Sequence, residues 1–576
     1  MDIMRATPFG TLIQWALKEY RTEGTVFGIK KIPSFKDKQV KYSIFGGSIE
    51  SPLGPAAGPH TQLAQNLMAG YAAGARFFEL KTVQVMDGEE LSRCIPKPCI
   101  YAQDEGYNCE WSTELTVPGA FEEYVKGWLG CKVLALELGL GDVDGFIFNM
   151  SAGYDYAGIT GEKVDTFLTQ MTNAAETKIW QDCISWLKDH VNEFEHISLE
   201  DIEKLSPQVT NNITLSTMHG CPPEEIERIA THLIEVKGVN TYVKCNPTLL
   251  GFEKVRSLLD NLGFNYVTFD DHHFKADLQF VDAVPMLRRL QEKAKNKGLS
   301  FGVKLTNTFP CQVQGGELPG TDMYMSGRAL YPLSLGVAQL LAHEFDDLPM
   351  SFSGGADATN VAGLLDAGIW PVTVATVLLK PGGYDKFASL EAKVPFTSDQ
   401  VSGGVEASKV DALVAEAADS VTLRKKTPPT SRPTPDAQTR DAEGHVIPQE
   451  KLPPCAPGCA TCNSVCPNRA YIVLKEEGDK FGTVYHIDAW CNECGNCSTF
   501  CPTKKTPYRD KFTLFWTEED FYGSTNQGLW PQQDGTFIMR LLGQVYEGVT
   551  VDDSRLTAEA ARLARAVAAN PLLKGC

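Results

Sequence analysis

Residues 213–245 read I-T-L-S-T-M-H-G-C-P-P-E-E-I-E-R-I-A-T-H-L-I-E-V-K-G-V-N-T-Y-V-K-C, and they give the clearest fold signal in the chain. The first five and the last five residues are rich in β-branched and aromatic side chains, as short strands are. Between them, Pro222 and Pro223 begin a segment in which isoleucine and leucine recur at helical spacing. Two strands separated by a helix pair in parallel, because no tight hairpin joins them. The stretch therefore predicts a β-α-β unit.

The same alternation extends over residues 50–395. The runs with strand character are S-P-L-G-P-A-A, F-F-E-L-K-T-V, G-F-I-F-N-M-S, I-T-L-S-T, T-Y-V-K-C, Y-V-T-F-D, F-G-V-K-L-T-N-T, M-S-F-S-G-G and P-V-T-V-A-T. Repeated β-α units build an α/β fold, and these nine runs are one more than a (β/α)8 TIM barrel needs. We predict a TIM barrel with insertions, in which one run lies outside the barrel. The amphipathic segment from about Glu176 to Leu205 is predicted to be a helical insertion.

Near the C-terminus, cysteines fall into two runs. The first is C-A-P-G-C-A-T-C-N-S-V-C-P (455–467) and the second is C-N-E-C-G-N-C-S-T-F-C-P (491–502). The second has the spacing of bacterial two-cluster ferredoxins, in which the fourth cysteine of each run ligates the other cluster; the first has one extra residue in its opening loop. This pattern predicts two [4Fe-4S] clusters, with a pair of structural zinc sites as the alternative. One cluster would take Cys455, Cys459, Cys462 and Cys501, and the other Cys466, Cys491, Cys494 and Cys497.

A change of composition separates these runs from the barrel. Residues 427–454 are rich in proline and polar residues and show no apolar period, which predicts an extended connector. We therefore expect a barrel domain over residues 1–426 and a small α+β ferredoxin-like domain with a C-terminal extension over residues 455–576.

The charge balance limits the partners. The chain has 53 basic and 72 acidic residues, a net charge of -19, which repels nucleic acid and anionic membrane surfaces. No run of eighteen apolar residues and no secretory leader pattern is present. We predict a cytoplasmic protein without nucleic-acid or membrane partners, in which clustered cysteines hold metal rather than form disulfides.

Several strand ends carry residues suited to a flat, anionic cofactor. In S-P-L-G-P-A-A-G-P-H, the small residues 56–58 allow close approach of the backbone to a ring. Lys81, Lys244 and Lys304 each occur at the end of an apolar strand, where a buried ammonium needs a negative partner. Toward the end of the barrel, M-S-G-R-A, F-S-G-G-A-D and V-A-T-V-L-L-K-P-G-G place glycines and a threonine where backbone N–H groups suit a phosphate.

With these motifs, the barrel segment resembles the flavin barrel shared by dihydroorotate dehydrogenases and dihydropyrimidine dehydrogenase. The whole chain looks closest to the N-terminal part and ferredoxin end of the family named for selenate reductase, which is linked to anaerobic purine breakdown. The resemblance covers about Met4 to Gly383 and Cys455 to about Trp530. It implies FMN, with Lys81 and Lys244 at the flavin and Lys304 as a competitor to Lys244. The full set of implied FMN contacts is Ala57, Gly58, Lys81, Thr82, Lys244, Thr306, Gly327, Ser353, Gly354, Gly355, Ala375 and Thr376.

The resemblance also implies a substrate site over the flavin. Asn108 and Glu110 in Y-N-C-E match an Asn-x-Glu segment that reads the amide edge of a base. The matching substrate residues are Asn108, Glu110, Thr214, Ser216, Asn307 and Thr308. Family members usually have asparagine where Thr214 stands, which favours a substrate ring of different shape.

Reduction of an activated C=C bond needs a proton donor beside the hydride donor. In this superfamily the donor is a cysteine or serine on a loop near the fourth strand, and M-H-G-C-P-P offers Cys221, with His219 as the second candidate. A thiol at a helix N-terminus is expected to have a lowered pKa, which suits such a role.

Together these features predict an enzyme, an FMN- and iron–sulfur-dependent reductase of an electron-poor N-heterocycle. An oxopurine is the expected substrate and a pyrimidine the alternative; a non-catalytic electron-transfer subunit is a further alternative. No G-x-G-x-x-G motif follows a strand and opens a helix, so electrons are expected from a separate flavoprotein or ferredoxin. A homodimer stays open as the assembly.

Overall fold

The computed structural model describes residues 3–36, 38, 40–110, 112–216, 219–394, 404–425 and 455–575. The predicted connector over residues 427–454 lies outside the described residues. The strands are β1 Tyr42–Ile44, β2 Gly47–Ile49, β3 Leu53–Pro55, β4 Phe77–Glu79, β5 Ile100–Ala102, β6 Glu105–Asn108, β7 Ile147–Ala152, β8 Asn212–Ser216, β9 Asn240–Cys245, β10 Phe301–Leu305, β11 Phe309–Gln312, β12 Asp322–Gly327, β13 Met350–Phe352, β14 Val372–Val374, β15 Tyr471–Leu474, β16 Thr483–Ile487, β17 Thr513–Leu514, β18 Gly528–Pro531, β19 Phe537–Leu541 and β20 Gln544–Val549.

The α-helices alternate with these strands through the first part of the chain. They are α1 Phe9–Glu23, α2 Ala64–Ala72, α3 Gly88–Cys94, α4 Val117–Leu138, α5 Tyr156–Thr160, α6 Glu162–Thr172, α7 Lys178–Asp189, α8 Leu199–Glu203, α9 Pro223–Glu235, α10 Phe252–Asn261, α11 His272–Ala276, α12 Phe280–Asn296, α13 Tyr331–Glu344, α14 Val361–Asp366, α15 Phe387–Glu391, α16 Ala407–Ala418, α17 Thr461–Val465, α18 Asn496–Thr499, α19 Pro507–Asp510, α20 Glu518–Gly523 and α21 Ala558–Ala569. No helix among the described residues is both long and apolar enough to cross a membrane.

Eight parallel strands form a nearly closed barrel in the order β3-β14-β13-β10-β9-β8-β7-β4. The two end strands meet where the N–H of Arg76 donates to the carbonyl of Leu53, at 2.9 Å. The approach is so close that a Cβ on Gly54 would lie 1.4 Å from the carbonyl oxygen of Phe77. The predicted TIM barrel is therefore confirmed.

The extra strand candidate is Y-V-T-F-D, residues 266–270, which lies outside the barrel. Its ladder pairing is a single antiparallel bridge between Thr268 and Gln312. Phe269 packs against the rings of Phe274 and Phe309, with centroids 5.9 and 4.8 Å away. The apolar pattern of this run thus reflects an aromatic cluster, which periodicity does not distinguish from a strand.

A second, antiparallel sheet covers part of the barrel mouth. Its strand order is β11-β12-β6-β5, and it joins two loops that are distant in sequence. Asn108 at the end of β6 pairs with Tyr324 of β12. The predicted helical insertion is also present, as α7 and α8 between the barrel strands β7 and β8.

The C-terminal domain has a six-stranded sheet, β15-β16-β17-β18-β19-β20, with the cysteine loops at one side. The N-terminal segment packs on this domain. The Trp490 indole N–H donates to the Thr7 hydroxyl at 2.9 Å, its ring lies 5.2 Å from that of Trp15, and Arg5 is paired with Asp520 at 2.7 Å. These contacts of the N-terminal segment therefore help to hold the cysteine-rich domain against the barrel.

Candidate functional site

A cavity of about 470 Å³ lies at the carboxyl ends of the barrel strands, and we call it the mouth cavity. Its volume falls in the range of about 300–1,000 Å³ that small-molecule and cofactor sites occupy. The predicted residues that line it are Ala57, Gly58, Lys81, Thr82, Asn108, Glu110, Ser216, Lys244, Thr306, Asn307, Thr308, Gly327, Ser353, Gly355, Ala375 and Thr376. Residues from nearly all barrel strands thus meet at one place.

One end of the mouth cavity has the character of an anion site. Gly327 and Gly355 have φ values of 76° and 81°, and a Cβ on Gly355 would lie 2.2 Å from the Gly327 carbonyl oxygen. Two cationic side chains, Arg328 and Lys380, line the same cavity. Asp104 holds both side chains, since Arg328 pairs with its carboxylate at 2.7 Å and Lys380 donates to its carbonyl at 2.7 Å. Cations held in this way beside closely approaching backbone suit a phosphate group.

Lys81 and Lys244 line the same cavity. Lys81 forms an ion pair of 2.5 Å with Glu110, and both side chains are almost fully buried. Burial lowers the pKa of Lys244, and the charge of Glu79 opposes this shift. Lys304 does not line this cavity in the described structure, so of the two competing lysines it is Lys244 that faces it.

Two predicted residues lie behind the cavity wall. The Thr214 hydroxyl donates to the side-chain carbonyl of Asn149 at 2.7 Å, inside the barrel. Gly354 packs against α13, where a Cβ would lie 2.0 Å from the Ser334 hydroxyl oxygen. Neither residue reaches the cavity directly, because each is committed to packing within the barrel.

Cys221 does not line the mouth cavity but lies in a small gap under α9 and α12, beside Leu278, Met286 and Lys244, and Lys244 borders both spaces. Burial raises the pKa of its thiol to about 11, and the carboxylates of Glu225 and Asp155 act in the same direction. The expected lowering of this pKa at a helix N-terminus is therefore wrong. Desolvation and nearby negative charge outweigh the small effect of the helix dipole.

His219 is held by a buried carboxylate. Its Nδ1 lies 2.7 Å from Oδ2 of Asp277, and the N–H of Gly220 donates to the other oxygen of Asp277 at 2.7 Å. Although burial opposes it, hydrogen bonds from His219 and Thr248 hold the pKa of Asp277 below its ordinary value. A carboxylate bonded to one ring nitrogen fixes the orientation and tautomer of an imidazole.

Two amides connect this pair with the mouth cavity. The Asn307 side chain, on the cavity wall, donates to the Asn246 side-chain carbonyl at 2.7 Å. Asn246 in turn donates to Asp277 at 3.1 Å. His219 is therefore part of a hydrogen-bond network that reaches the cavity, and among the hydrogen bonds of the described residues none joins Cys221 to it.

The cysteines form two groups. In the first, Cys455 is exposed, Cys459 and Cys501 are partly buried and Cys462 is buried, whereas all four cysteines of the second are buried. Cys455, Cys459, Cys462 and Cys501 together line a cavity of about 350 Å³ near the surface, which we call the surface cysteine set. Cys466, Cys491, Cys494 and Cys497 are all buried, and we call them the buried cysteine set. The structure thus brings the fourth cysteine of the second run to the first run.

The buried cysteine set adjoins the mouth cavity through the wall of β5. The N–H of Ile100 donates to the Cys494 carbonyl at 3.0 Å, and Ile100 lines the cavity. Asn492 donates to Glu114 at 2.8 Å and to Glu110 at 3.4 Å. Glu110 therefore bridges Lys81 in the cavity and the loop of the buried cysteine set.

Sequence reasoning missed some residues of these networks. Arg328 directly follows Gly327 and Lys380 closely follows Thr376, so a basic side chain beside each predicted phosphate residue was an available signal. Asp277 and Asn246 gave no such signal, because only the tertiary structure brings them to His219.

The fold and this arrangement define a class, a TIM barrel whose mouth cavity adjoins a cysteine-rich domain. The chain belongs to the family described as "Oxidoreductase YgfK, N-terminal TIM-barrel domain", whose model matches residues 27–425. The family description names an oxidoreductase, the class that the sequence predicts.

The "Putative oxidoreductase YgfK" proteins of Escherichia coli strain K12 and of Escherichia coli O157:H7 are similar to this chain. Each is 41% identical over 474 residues, which is 80% of this chain and 45% of the relative. The chain thus spans under half the length of these relatives.

Proposed function

We propose that the protein is an FMN- and iron–sulfur-dependent reductase of an electron-poor N-heterocycle, with an oxopurine as the favoured substrate. The observation that carries this proposal is the continuous arrangement of the surface cysteine set, the buried cysteine set and the mouth cavity. Two clusters in such an order form a path for single electrons from the surface to a cofactor in the barrel.

The mouth cavity fits FMN by its chemistry. Gly327, Gly355, Arg328 and Lys380 would hold the phosphate, while Lys81 and Lys244 would face the isoalloxazine ring. Ala57 and Gly58 leave room for a flat ring beside the first strand. Bound flavin would supply hydride transfer, and the protein would supply binding, orientation and protons.

The substrate would lie beside Asn108 and Asn307, which both line the cavity. Amide side chains present a donor and an acceptor together and so complement a lactam edge. Glu110 is committed to Lys81, so we assign it to the lysine rather than to the substrate. The oxopurine is proposed ahead of a pyrimidine on the resemblance to the family linked to purine breakdown, since Thr214 bonds Asn149 inside the barrel and does not contact the cavity.

A proton would come from the His219 side of the cavity. Asp277 orients His219, and Asn246 and Asn307 connect the pair with the cavity wall. Histidine is the commonest general acid in enzymes, because its proton exchanges near neutral pH.

The electron donor would dock at the surface cysteine set, where Lys505 and Lys511 line the cavity with the sulfurs. A separate flavoprotein or ferredoxin is the proposed donor. Asp510 and Glu559 line the same cavity, so the proposed attraction of an acidic partner rests on contacts with Lys505 and Lys511 within a chain of net charge -19 that repels such a partner elsewhere.

The test is anaerobic. We expect the purified protein to contain FMN and about eight iron atoms, as two four-iron clusters require. After reduction with dithionite, a panel of oxopurines and pyrimidines is added and reoxidation of the flavin is followed by absorbance. Reoxidation by an oxopurine, slowed strongly in Asn108→Ala, supports the proposal.

Each other outcome has a meaning. Reoxidation by pyrimidines alone favours a dihydropyrimidine dehydrogenase-like activity. Reoxidation by no heterocycle, with rapid electron transfer to a second protein, favours an electron-transfer subunit. Absence of flavin from cluster-containing protein contradicts the proposal.

A further inference from the structure

Tyr471 places a phenolic hydroxyl on the buried cysteine set. It is the first residue of β15 and is 5% exposed. Its hydroxyl donates to Sγ of Cys497 at 3.2 Å. The ring is held by its strand partner His486, at a centroid distance of 5.3 Å. A buried strand position with a neighbouring ring leaves this hydroxyl little freedom to turn away from the sulfur.

The two cysteine sets provide very different surroundings for an added electron. Cys455 of the surface set is exposed, and the Lys511 ammonium donates to its sulfur at 3.4 Å. The buried set is shielded from water, and burial disfavours the more negatively charged reduced form of a cluster. Burial alone would therefore make the step from the surface set to the buried set unfavourable.

Hydrogen bonds to cluster sulfurs act in the opposite direction, because they stabilise the electron-rich form. The N–H of Ala470 donates to Cys466 and the N–H of Glu493 to Cys491, each at 3.3 Å. These are donors of the ligand loops themselves. Tyr471 lies instead on a strand of the adjoining sheet. Its hydroxyl is therefore a hydrogen-bond donor to the buried cysteine set that the ligand loops themselves do not provide.

We propose that the Tyr471 hydroxyl raises the reduction potential of the buried cluster. The hydroxyl thereby offsets the effect of burial, so that electron transfer from the surface cluster toward the barrel stays favourable. This proposal rests on the proposed function, since it takes the buried cysteine set to hold a [4Fe-4S] cluster. The step is a one-electron transfer between clusters, in which the surface cluster is oxidised and the buried cluster reduced. Tyr471 makes no covalent change and acts as a positioning residue.

The experiment compares Tyr471→Phe with Tyr485→Phe in the complete, cluster-containing protein. Tyr485 is a control because it lies on the adjoining strand β16 and its hydroxyl donates to the Glu559 carbonyl at 2.9 Å, not to a sulfur of the buried cysteine set. Redox titrations are followed by EPR spectroscopy. A soluble paramagnetic complex identifies the surface cluster, because it broadens that signal first.

We expect Tyr471→Phe to make the buried cluster about tenfold harder to reduce, which is about 59 mV for one electron. The surface cluster and the Tyr485→Phe protein should keep wild-type potentials. An unchanged potential in Tyr471→Phe with full iron content overturns the proposal.

A second variant covers the case in which Tyr471→Phe loses its buried cluster. Site-specific 3-fluorotyrosine at position 471 keeps the ring and makes its hydroxyl a stronger hydrogen-bond donor. The reduction potential of the buried cluster should therefore rise. An unchanged or lower potential in this protein overturns the proposal. Wild-type protein without reduced-cluster signals would instead contradict the proposed function, and this inference would fall with it.

Discussion

At the scale of single residues, the barrel interior contains a buried ion pair between Lys304 and Glu79. Lys304 also donates to the Thr373 and Ser351 hydroxyls, at 2.8 and 3.0 Å. Burial lowers the pKa of Lys304 to about 8, although the charge of Glu79 opposes this shift. The strand-end lysine that sequence reasoning offered as a flavin contact thus has a structural role below the cavity.

This role predicts non-additive effects on stability. Lys304→Met leaves Glu79 as an uncompensated buried charge and should lower the free energy of unfolding by about 3–5 kcal/mol. The double variant Lys304→Met, Glu79→Leu should recover most of this loss, since buried pairs contribute little net stability over apolar packing. Denaturant unfolding followed by tryptophan fluorescence measures both.

Equal destabilisation of the single and double variants would contradict this account. Arg76→Met is not a suitable control, since its guanidinium also bonds backbone carbonyls. Lys237→Met serves better, because Lys237 pairs near the surface with Asp165 and should cost about 1 kcal/mol or less.

At the scale of elements, the turn between β8 and α9 decides which group can give a proton. The turn ends in two prolines that begin α9, and this places Cys221 under the helix, where it does not line the mouth cavity. His219, two residues earlier, is turned toward Asp277 instead. Neighbours in sequence therefore serve different networks.

We expect His219→Gln to slow turnover of the heterocycle by at least about 10²-fold, as loss of a general acid does. Cys221→Ser should stay within a few-fold of wild type, because Cys221 lies in the gap under α9 and α12 and does not line the mouth cavity. Single-turnover oxidation of the reduced protein measures both variants, with flavin and iron contents as controls. The opposite ranking would return the role to Cys221.

At the scale of the whole molecule, the buried and surface cysteine sets would give the proposed electron path a direction. The N-terminal segment and the polar layer around Asn492 fix the cysteine-rich domain on the barrel. The buried set therefore faces the mouth cavity, and the surface set faces solvent beside Lys505 and Lys511. An external donor can reach the path at that one exposed end of the described structure.

This geometry predicts how reduction depends on salt. Reduction by an acidic ferredoxin should slow as ionic strength rises, because the attraction is screened. Lys505→Glu should slow it several-fold at low salt and flatten the salt dependence. Lys297→Glu is the control, since this exposed residue ends α12 at the opposite end of the barrel. Equal effects of both variants would contradict docking at the surface cysteine set.

The sequence by itself determined the barrel, because the β-α period is a local pattern and each unit, such as residues 213–245, carries its own signal. It also predicted most residues of the mouth cavity, since the carboxyl ends of parallel strands meet at one face. The pairing of Cys501 with the first run was available from spacing in the same way.

Only the tertiary structure decided the partners of buried charges. Asp277, Asn246 and Asn492 have no spacing relation to His219, Asn307 or Glu110, and long-range contacts alone bring them together. The pKa of Cys221 likewise depends on burial under α9 and α12, and the local helix signal predicted the wrong direction. Backbone pattern is encoded locally, whereas desolvation and hydrogen bonding depend on residues that the sequence separates widely.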